Sequence, residues 1–197
     1  MKLADIAHIQ SGTAFTKKPV VDNNGDFYVL DSTAIAEGRV APERMVRAST
    51  RQPGLRVPQK EVLPGDILLK SKGGSRLAVV FDFPRQDLPA FPSSLFHMIR
   101  LHERGRFDPH FIRWVINSNQ IQSFLSDRAK GSTVSHFPLA VTKDIEIPEV
   151  SIDKQMKLVR LGDAFNRQKM LMQELIFTKQ KYRAAFMNEQ IWGNDSE

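Results

Sequence analysis

The chain has no cysteine. That excludes disulfides, thiolate metal ligands and cysteine nucleophiles, and it fits a reducing compartment. Long apolar runs are missing too. The opening Met1-Lys2-Leu3-Ala4-Asp5-Ile6 lacks the apolar core of a signal peptide, and no stretch approaches the length of a bilayer span. A soluble, cytoplasmic protein with no membrane partner is expected. Neither a Gly-x-x-x-x-Gly-Lys-Ser/Thr phosphate loop nor a Gly-x-Gly-x-x-Gly turn occurs. The histidines (His8, His97, His102, His110, His136) never fall four apart on one helix face or in a His-Glu-x-x-His setting, so no metal site is expected. Asp66 and Lys70 superficially resemble a nuclease pair, but Leu68 stands where the second acidic residue would be. Ser132 and His136 lack a Gly-x-Ser-x-Gly context for a nucleophile and its base. No catalytic residue and no cofactor is expected, and a stand-alone enzyme is the weakest functional class.

What the sequence does contain is a concentrated positive charge. Residues 39 to 76 hold nine basic side chains (Arg39, Arg44, Arg47, Arg51, Arg56, Lys60, Lys70, Lys72, Arg76) against three acidic ones (Glu43, Glu61, Asp66). That surplus of six equals the net charge of the whole chain, +6, so everything outside the window sums to zero. A localised positive field attracts polyanions, and each phosphate it neutralises releases condensed counterions. The alternative is a solvated loop rich in arginine, and composition alone leaves both open. Two loops carry binding chemistry. Lys70-Ser71-Lys72-Gly73-Gly74-Ser75-Arg76 combines cations with glycines that let backbone N–H groups approach a phosphate, and Lys130-Gly131-Ser132-Thr133-Val134-Ser135-His136 repeats the recipe after a helix. Arg47, Arg51, Arg56, Lys70, Lys72, Gly73, Gly74, Arg76, Lys130, Gly131, Ser132, Thr133 and His136 are the candidate nucleic-acid contacts, with cations holding the phosphate backbone and loop-tip side chains reading base edges.

The pattern along the chain gives strands first and helices later. Phe27-Tyr28-Val29-Leu30 is rich in strand formers, and Leu63-Pro64-Gly65-Asp66 turns into the strand Ile67-Leu68-Leu69-Lys70. Leu77 to Phe83 returns as the other half of a hairpin, and Phe96 to Leu101 makes a further strand. From Pro109 to Leu125 apolar residues recur at helical spacing, with Asp108 as a cap and Gly131-Ser132-Thr133 as the break. Ile145-Glu146-Ile147 alternates like a short strand. The expected fold is α+β: a mostly antiparallel β domain with helices over 1–150, one long projecting C-terminal helix over 151–192, and a tail over 193–197.

That last helix contains no proline from Ser151 to Trp192 and cannot bury its own apolar stripe. With Leu158, Phe165, Met172, Lys179 and Phe186 at heptad position a, position d falls on Leu161, Gln168, Leu175, Tyr182 and Glu189. Leu158, Leu161, Phe165, Met172, Leu175, Tyr182 and Phe186 form a coiled-coil-like seam interrupted by Gln168, Lys179 and Glu189. Folding back onto its own domain is the alternative, but the length of the run favours pairing with a partner.

The order of segments resembles a known family. The opening Lys2-Leu3-Ala4-Asp5-Ile6-Ala7 to Ser11-Gly12, the turn Leu63-Pro64-Gly65-Asp66-Ile67-Leu68, the helix holding Phe111 to Asn117, the Gly131-Ser132-Thr133 loop, and Ile145-Glu146-Ile147-Pro148 leading to Gln155 and a helix look like the specificity (S) subunits of type I restriction-modification systems. The resemblance covers nearly the whole chain and rests on order and spacing. It implies a non-catalytic target recognition domain that reads double-stranded DNA, joined to a helix that spaces such domains and docks methyltransferase and restriction subunits. The usual subunit holds two recognition domains and two helices, whereas this chain has one of each. A homodimer with antiparallel tail helices would rebuild the pair and read inverted half-sites. A truncated gene product, or a chain pairing with a different one-domain partner, are the other readings of that departure. The rival function is a structural or regulatory interaction protein that keeps the fold without productive DNA reading.

Overall fold

A computed structural model describes residues 1–36, 38–56, 60–74, 76–83, 88–129 and 136–193. Lys130, Gly131, Ser132 and Thr133 of the expected contact set, and Ser75 of the first loop, lie outside these. The chain divides into two compact units, Met1–Met156 and the residues from Lys157 onward.

In the first unit the elements follow as α1 (Leu3–Ile6), β1 (Ala7–Ser11), β2 (Phe27–Leu30), β3 (Ile35–Ala36), β4 (Arg39–Val40), β5 (Val46–Ala48), β6 (Ile67–Lys70), β7 (Ala78–Val80), β8 (Ala90–Pro92), β9 (Phe96–Leu101), α2 (Pro109–Ile116), α3 (Asn119–Arg128) and α4 (Leu139–Lys143). The main sheet runs β1-β9-β6-β7, antiparallel throughout, with Ile67 and Ile9 both opposite Ile99 and Leu68 opposite Met98. A smaller sheet runs β5-β2-β8, where β2 pairs β5 antiparallel and β8 in parallel. β3 and β4 form a separate two-stranded ribbon.

Ile67, Leu68 and Leu69 are all fully buried, so both faces of β6 are covered. That is why β6 reads as an unbroken apolar run and not as an alternation. Leu68 and Met98 belong to one apolar cluster with Leu30, Val40, Phe81 and Phe96. Phe27, Val29, Leu55 and Phe91 form a second cluster under the small sheet.

The turn before β6 is built around Asp66. Gly65 takes φ +85°, a left-handed conformation open to glycine at little cost. The fully buried Asp66 carboxylate accepts from Leu63 N at 2.7 Å and from Arg100 Nε and Nη2 at 2.8 and 2.6 Å. Asp66 is thus spent on holding the turn to β9, as expected of a turn aspartate.

The apolar stretch expected to run as one helix from Pro109 is two. Asp108 caps α2 through His110 N and Phe111 N, but the helix stops at Asn117. There the side-chain amide takes Ala78 N at 2.8 Å and gives to Ala78 O at 2.9 Å. Ser118 then caps α3 by accepting from Ile121 N. A side chain that satisfies the edge of β7 ends one helix, and a serine begins the next. Helix α4 was not expected, and of the expected strand at Ile145–Ile147 only a bridge between Lys2 and Glu146 forms. The N-terminus meets the same segment, with Leu3 N donating to Ile145 O at 2.8 Å.

Helix α5 (Ile152–Trp192, 41 residues) begins in the first unit and supplies nearly all of the second. Its opening turn is tied down by the fully buried Gln155. Gln155 Oε1 accepts from Asp108 N at 3.0 Å, while Nε2 donates to Arg106 O at 3.0 Å and Val150 O at 2.7 Å. Past Lys157 no residue of the helix is fully buried: Leu161 is 51 % exposed, Phe165 61 % and Tyr182 74 %.

Candidate nucleic-acid interface

Among the described residues, the first of the two loops meets His136, the last residue of the second. Lys72, just past the end of β6, forms an antiparallel bridge with His136, and Phe137 N donates to Ser71 O at 3.3 Å. Gly73 turns the chain immediately afterwards with φ +90°. Beside this junction lies an open hollow of about 670 Å³, lined by Ser11, Gly12, Thr13, Thr16, Arg56, Lys60, Lys72, His97 and His136 among others. Three cations converge there, and no carboxylate lies in the lining among the described residues. Lys60 reaches it from the loop before β6 and is anchored by donating to Ser11 O at 3.0 Å. Arg56 is held through its backbone, whose N–H donates to Thr16 Oγ1 at 3.3 Å, leaving its exposed guanidinium free of that anchor.

His97 belongs to the wall of the hollow but is itself almost wholly buried. Its Nδ1 lies 2.6 Å from Thr142 Oγ1, and its ring meets Phe137 edge-on. Burial, then the nearby His136 and Lys72, push its pKa down to about 4, so it is neutral at physiological pH. His97 therefore shapes the hollow without adding charge. The cations on its rim are Arg56, Lys60 and Lys72.

The remaining expected contacts fall elsewhere. Arg76 leaves the hairpin on the helical side, where Nη1 donates to Ser126 Oγ at 3.3 Å and its carbonyl accepts from Gln122. Arg47 Nε donates to Gly25 O at 2.8 Å within the small sheet, Arg51 is exposed on a turn, and Lys70 ends β6 half-buried. None of these four lines the hollow, and Gly74 stands in open space. Lys60 and Thr16 were not in the expected set. Lys60 had been counted in the basic window, but only the long-range bond to Ser11 distinguishes it from the other cations.

Charge is also less confined than the window implied. Residues 152–192 hold eight basic against four acidic side chains, a surplus of four that acidic residues outside the window offset. On α5 the apolar side chains occupy two opposite faces. One is the expected seam. The other carries Met156, Met170, Phe177 and Ile191, all exposed, with Lys181 Nζ lying over the Phe177 ring at 4.5 Å. The helix is therefore not the one-sided amphipath the seam alone described.

No family model matches the sequence, and no curated protein matches it. Solved structures do match in fold. A chain solved for complex assembly and conformational transition of the type I R-M system aligns with a TM-score of 0.69 at 14 % identity, over 94 % of this chain and 42 % of that one. The HsdS subunit from Thermoanaerobacter tengcongensis aligns with a TM-score of 0.61 at 15 % identity, over 89 % of this chain and 38 % of that one. The type I restriction-modification S subunit from M. genitalium aligns with a TM-score of 0.56 at 14 % identity, over 100 % and 46 %. This chain thus spans less than half the length of each. Antiparallel sheets, a helical layer and a long C-terminal helix give it the fold of the type I restriction-modification S subunit.

Proposed function

We propose that this chain is the sequence-specific DNA recognition subunit of a type I restriction-modification system, directing methyltransferase and restriction subunits that carry out the chemistry. Residues 1–150 form the recognition domain and 151–192 the spacer and dimerisation helix, with 193–197 a tail. Two copies join through α5 and read an inverted, bipartite site in double-stranded DNA. With 41 residues at about 1.5 Å rise each, the helix measures about 60 Å, and that length sets the gap between half-sites.

The observation that carries the DNA half of this reading is the convergence of Arg56, Lys60, Lys72 and His136 on one hollow with no carboxylate among its described lining residues, on a scaffold with the S-subunit fold. Cations gathered on one rim neutralise phosphates and hold a duplex in place, while Thr16 and His136 have donors and acceptors to offer base edges.

Duplex binding measured by fluorescence anisotropy over a series of salt concentrations tests it. Affinity should fall linearly in log salt. The triple variant Arg56→Gln, Lys60→Gln, Lys72→Gln should reduce the slope by about 2 to 3, close to one per phosphate contact removed. An unchanged slope would overturn the assignment of the hollow. Binding that ignores salt would favour an interaction protein that keeps the fold without productive DNA reading.

A further inference from the structure

The seam of α5 has three polar interruptions, Gln168, Lys179 and Glu189, and they constrain how two copies of the helix can meet. In a parallel pair each a residue and each d residue faces its own copy, so Lys179 would face Lys179 and Glu189 would face Glu189, placing like charges in shared layers. In an antiparallel pair a faces d of the other copy, and the outcome depends on register. One register puts the two-fold axis between Gln173 and Glu174. Its layers are Leu161 with Phe186, Phe165 with Tyr182, Met172 with Leu175, Gln168 with Lys179, and Leu158 with Glu189. The two inner interruptions then share a layer, the Gln168 carbonyl can accept from the Lys179 ammonium, and Glu189 reaches the end of the pair beside Lys157. A shift by one heptad either way sets Lys179 against Leu161 or Leu175.

The flanks agree with that register. On one side Lys169 faces Ile176 and Gly162 faces Arg183, so no like charges meet. On the other, Ala164 faces Ala185, small enough for close approach. The helix surface carries a hollow of about 400 Å³ lined by Ala164, Arg167, Gln168, Leu171, Met172 and Leu175, where the other copy's Leu175 would insert as a knob. The opposite apolar face is a poorer candidate for self-pairing, because Arg160 and Lys181 run beside it, the latter over the Phe177 ring.

We propose that α5 pairs with a second copy of itself, antiparallel, in the single register that places Gln168 opposite Lys179 and Leu161 opposite Phe186. This rests on the dimer half of the proposed function and not on its DNA half. Its test needs no DNA, so either half can fail alone.

The absence of cysteine makes the full chain a clean background for crosslinking. Leu161→Cys and Phe186→Cys chains, mixed and oxidised, should give a disulfide-linked heterodimer. Each variant alone should stay uncrosslinked, because the two copies of position 161 would lie about 37 Å apart. Crosslinking of either variant alone would mean parallel pairing and overturn the proposal, as would no crosslink in the mixture. A charge swap checks register independently. Gln168→Lys places two ammonium groups in one layer and should raise the dimer dissociation constant at least about tenfold by sedimentation equilibrium. Adding Lys179→Gln restores the same pair in reversed order and should return affinity to within about threefold of the parent. Failure of that rescue, or a Gln168→Lys chain that dimerises as before, would also overturn the register.

Discussion

Leu68 and Leu175 are the same side chain in opposite circumstances. Leu68 on β6 is fully buried in a cluster drawn from six strands and loops, whereas Leu175 on α5 is 54 % exposed. The unit from Met1 to Met156 closes its own core through long-range sheet pairing, and the helix beyond Lys157 keeps its backbone satisfied internally while its apolar side chains are exposed. The first arrangement yields a stable domain at any concentration, while under the proposed pairing the second would gain stability only by association. The most direct way to break the comparison is to truncate both. Leu68→Ala should cost about 3 kcal/mol in denaturant unfolding of the first unit, since a cavity opens where nothing can collapse. Leu175→Ala should leave that transition unmoved and weaken self-association instead, so its effect should vanish on dilution. Equal losses from both substitutions would mean that Leu175 is packed like a core residue.

Acid should separate the same regions by a smaller margin. His97 is buried, and its folded pKa of about 4 lies below the ordinary value of 6.5. Protonation is therefore disfavoured in the folded state. The stability it contributes is complete above pH 6.5 and drains away as pH falls toward 4. At pH 5 the loss amounts to about 2 kcal/mol by linkage. His110 works in the other direction: its bond to Asp82 raises its pKa, so its contribution is full in acid and lost as pH climbs through the raised value. Unfolding free energy measured from pH 7.5 to 5 should fall in the parent, and the fall should reverse or flatten in His97→Gln, where the opposing His110 contribution remains. No described histidine lies in α5, so helicity beyond Lys157 should not follow this curve.

The parts of the fold legible in the sequence were those written in local patterns. Phe27–Leu30, Ile67–Lys70 and Phe96–Leu101 appear as strands at their expected bounds, and α5 starts and ends within one residue of its expected limits. Strand formers and proline-free runs carry that information without help from distant residues. What stayed hidden depends on partners far along the chain. The stop of α2 at Asn117 is set by its bonds to Ala78, 39 residues away, and no helix-breaking glycine or proline marks it. The candidate site divides in the same way. A basic window was visible, but which cations converge was not, because Arg56, Lys60 and Lys72 meet only through strand β6 and the Ser11 carbonyl. Arg76, adjacent in sequence to that hairpin tip, is turned away by Ser126. The second apolar face of α5 was legible in principle, at seven-residue spacing from Met156 through Met170 and Phe177 to Ile191, but a search for one seam passes over it.

Gln155 sits where the two regions meet in sequence, on the turn of α5 that belongs to the first unit. A buried amide with three backbone partners is a costly thing to place at the start of a long helix, and its bonds explain why it is there. Asp108 N would otherwise have no acceptor next to the α2 cap, and the carbonyls of Arg106 and Val150 would lose a donor. Gln155→Ala removes all three bonds at once and should destabilise the first unit by about 1 to 2 kcal/mol, within the usual range for orphaned buried backbone groups. Because alanine is the better helix former, α5 itself should lose no helical signal. Circular dichroism at 222 nm would then remain near the parent value at low denaturant while the near-ultraviolet signal, to which Trp114 contributes, melts earlier. A joint loss of both signals would show that the helix depends on the first unit for its folding, and the contrast between a self-sufficient core and an internally satisfied helix would have to be redrawn around this one side chain.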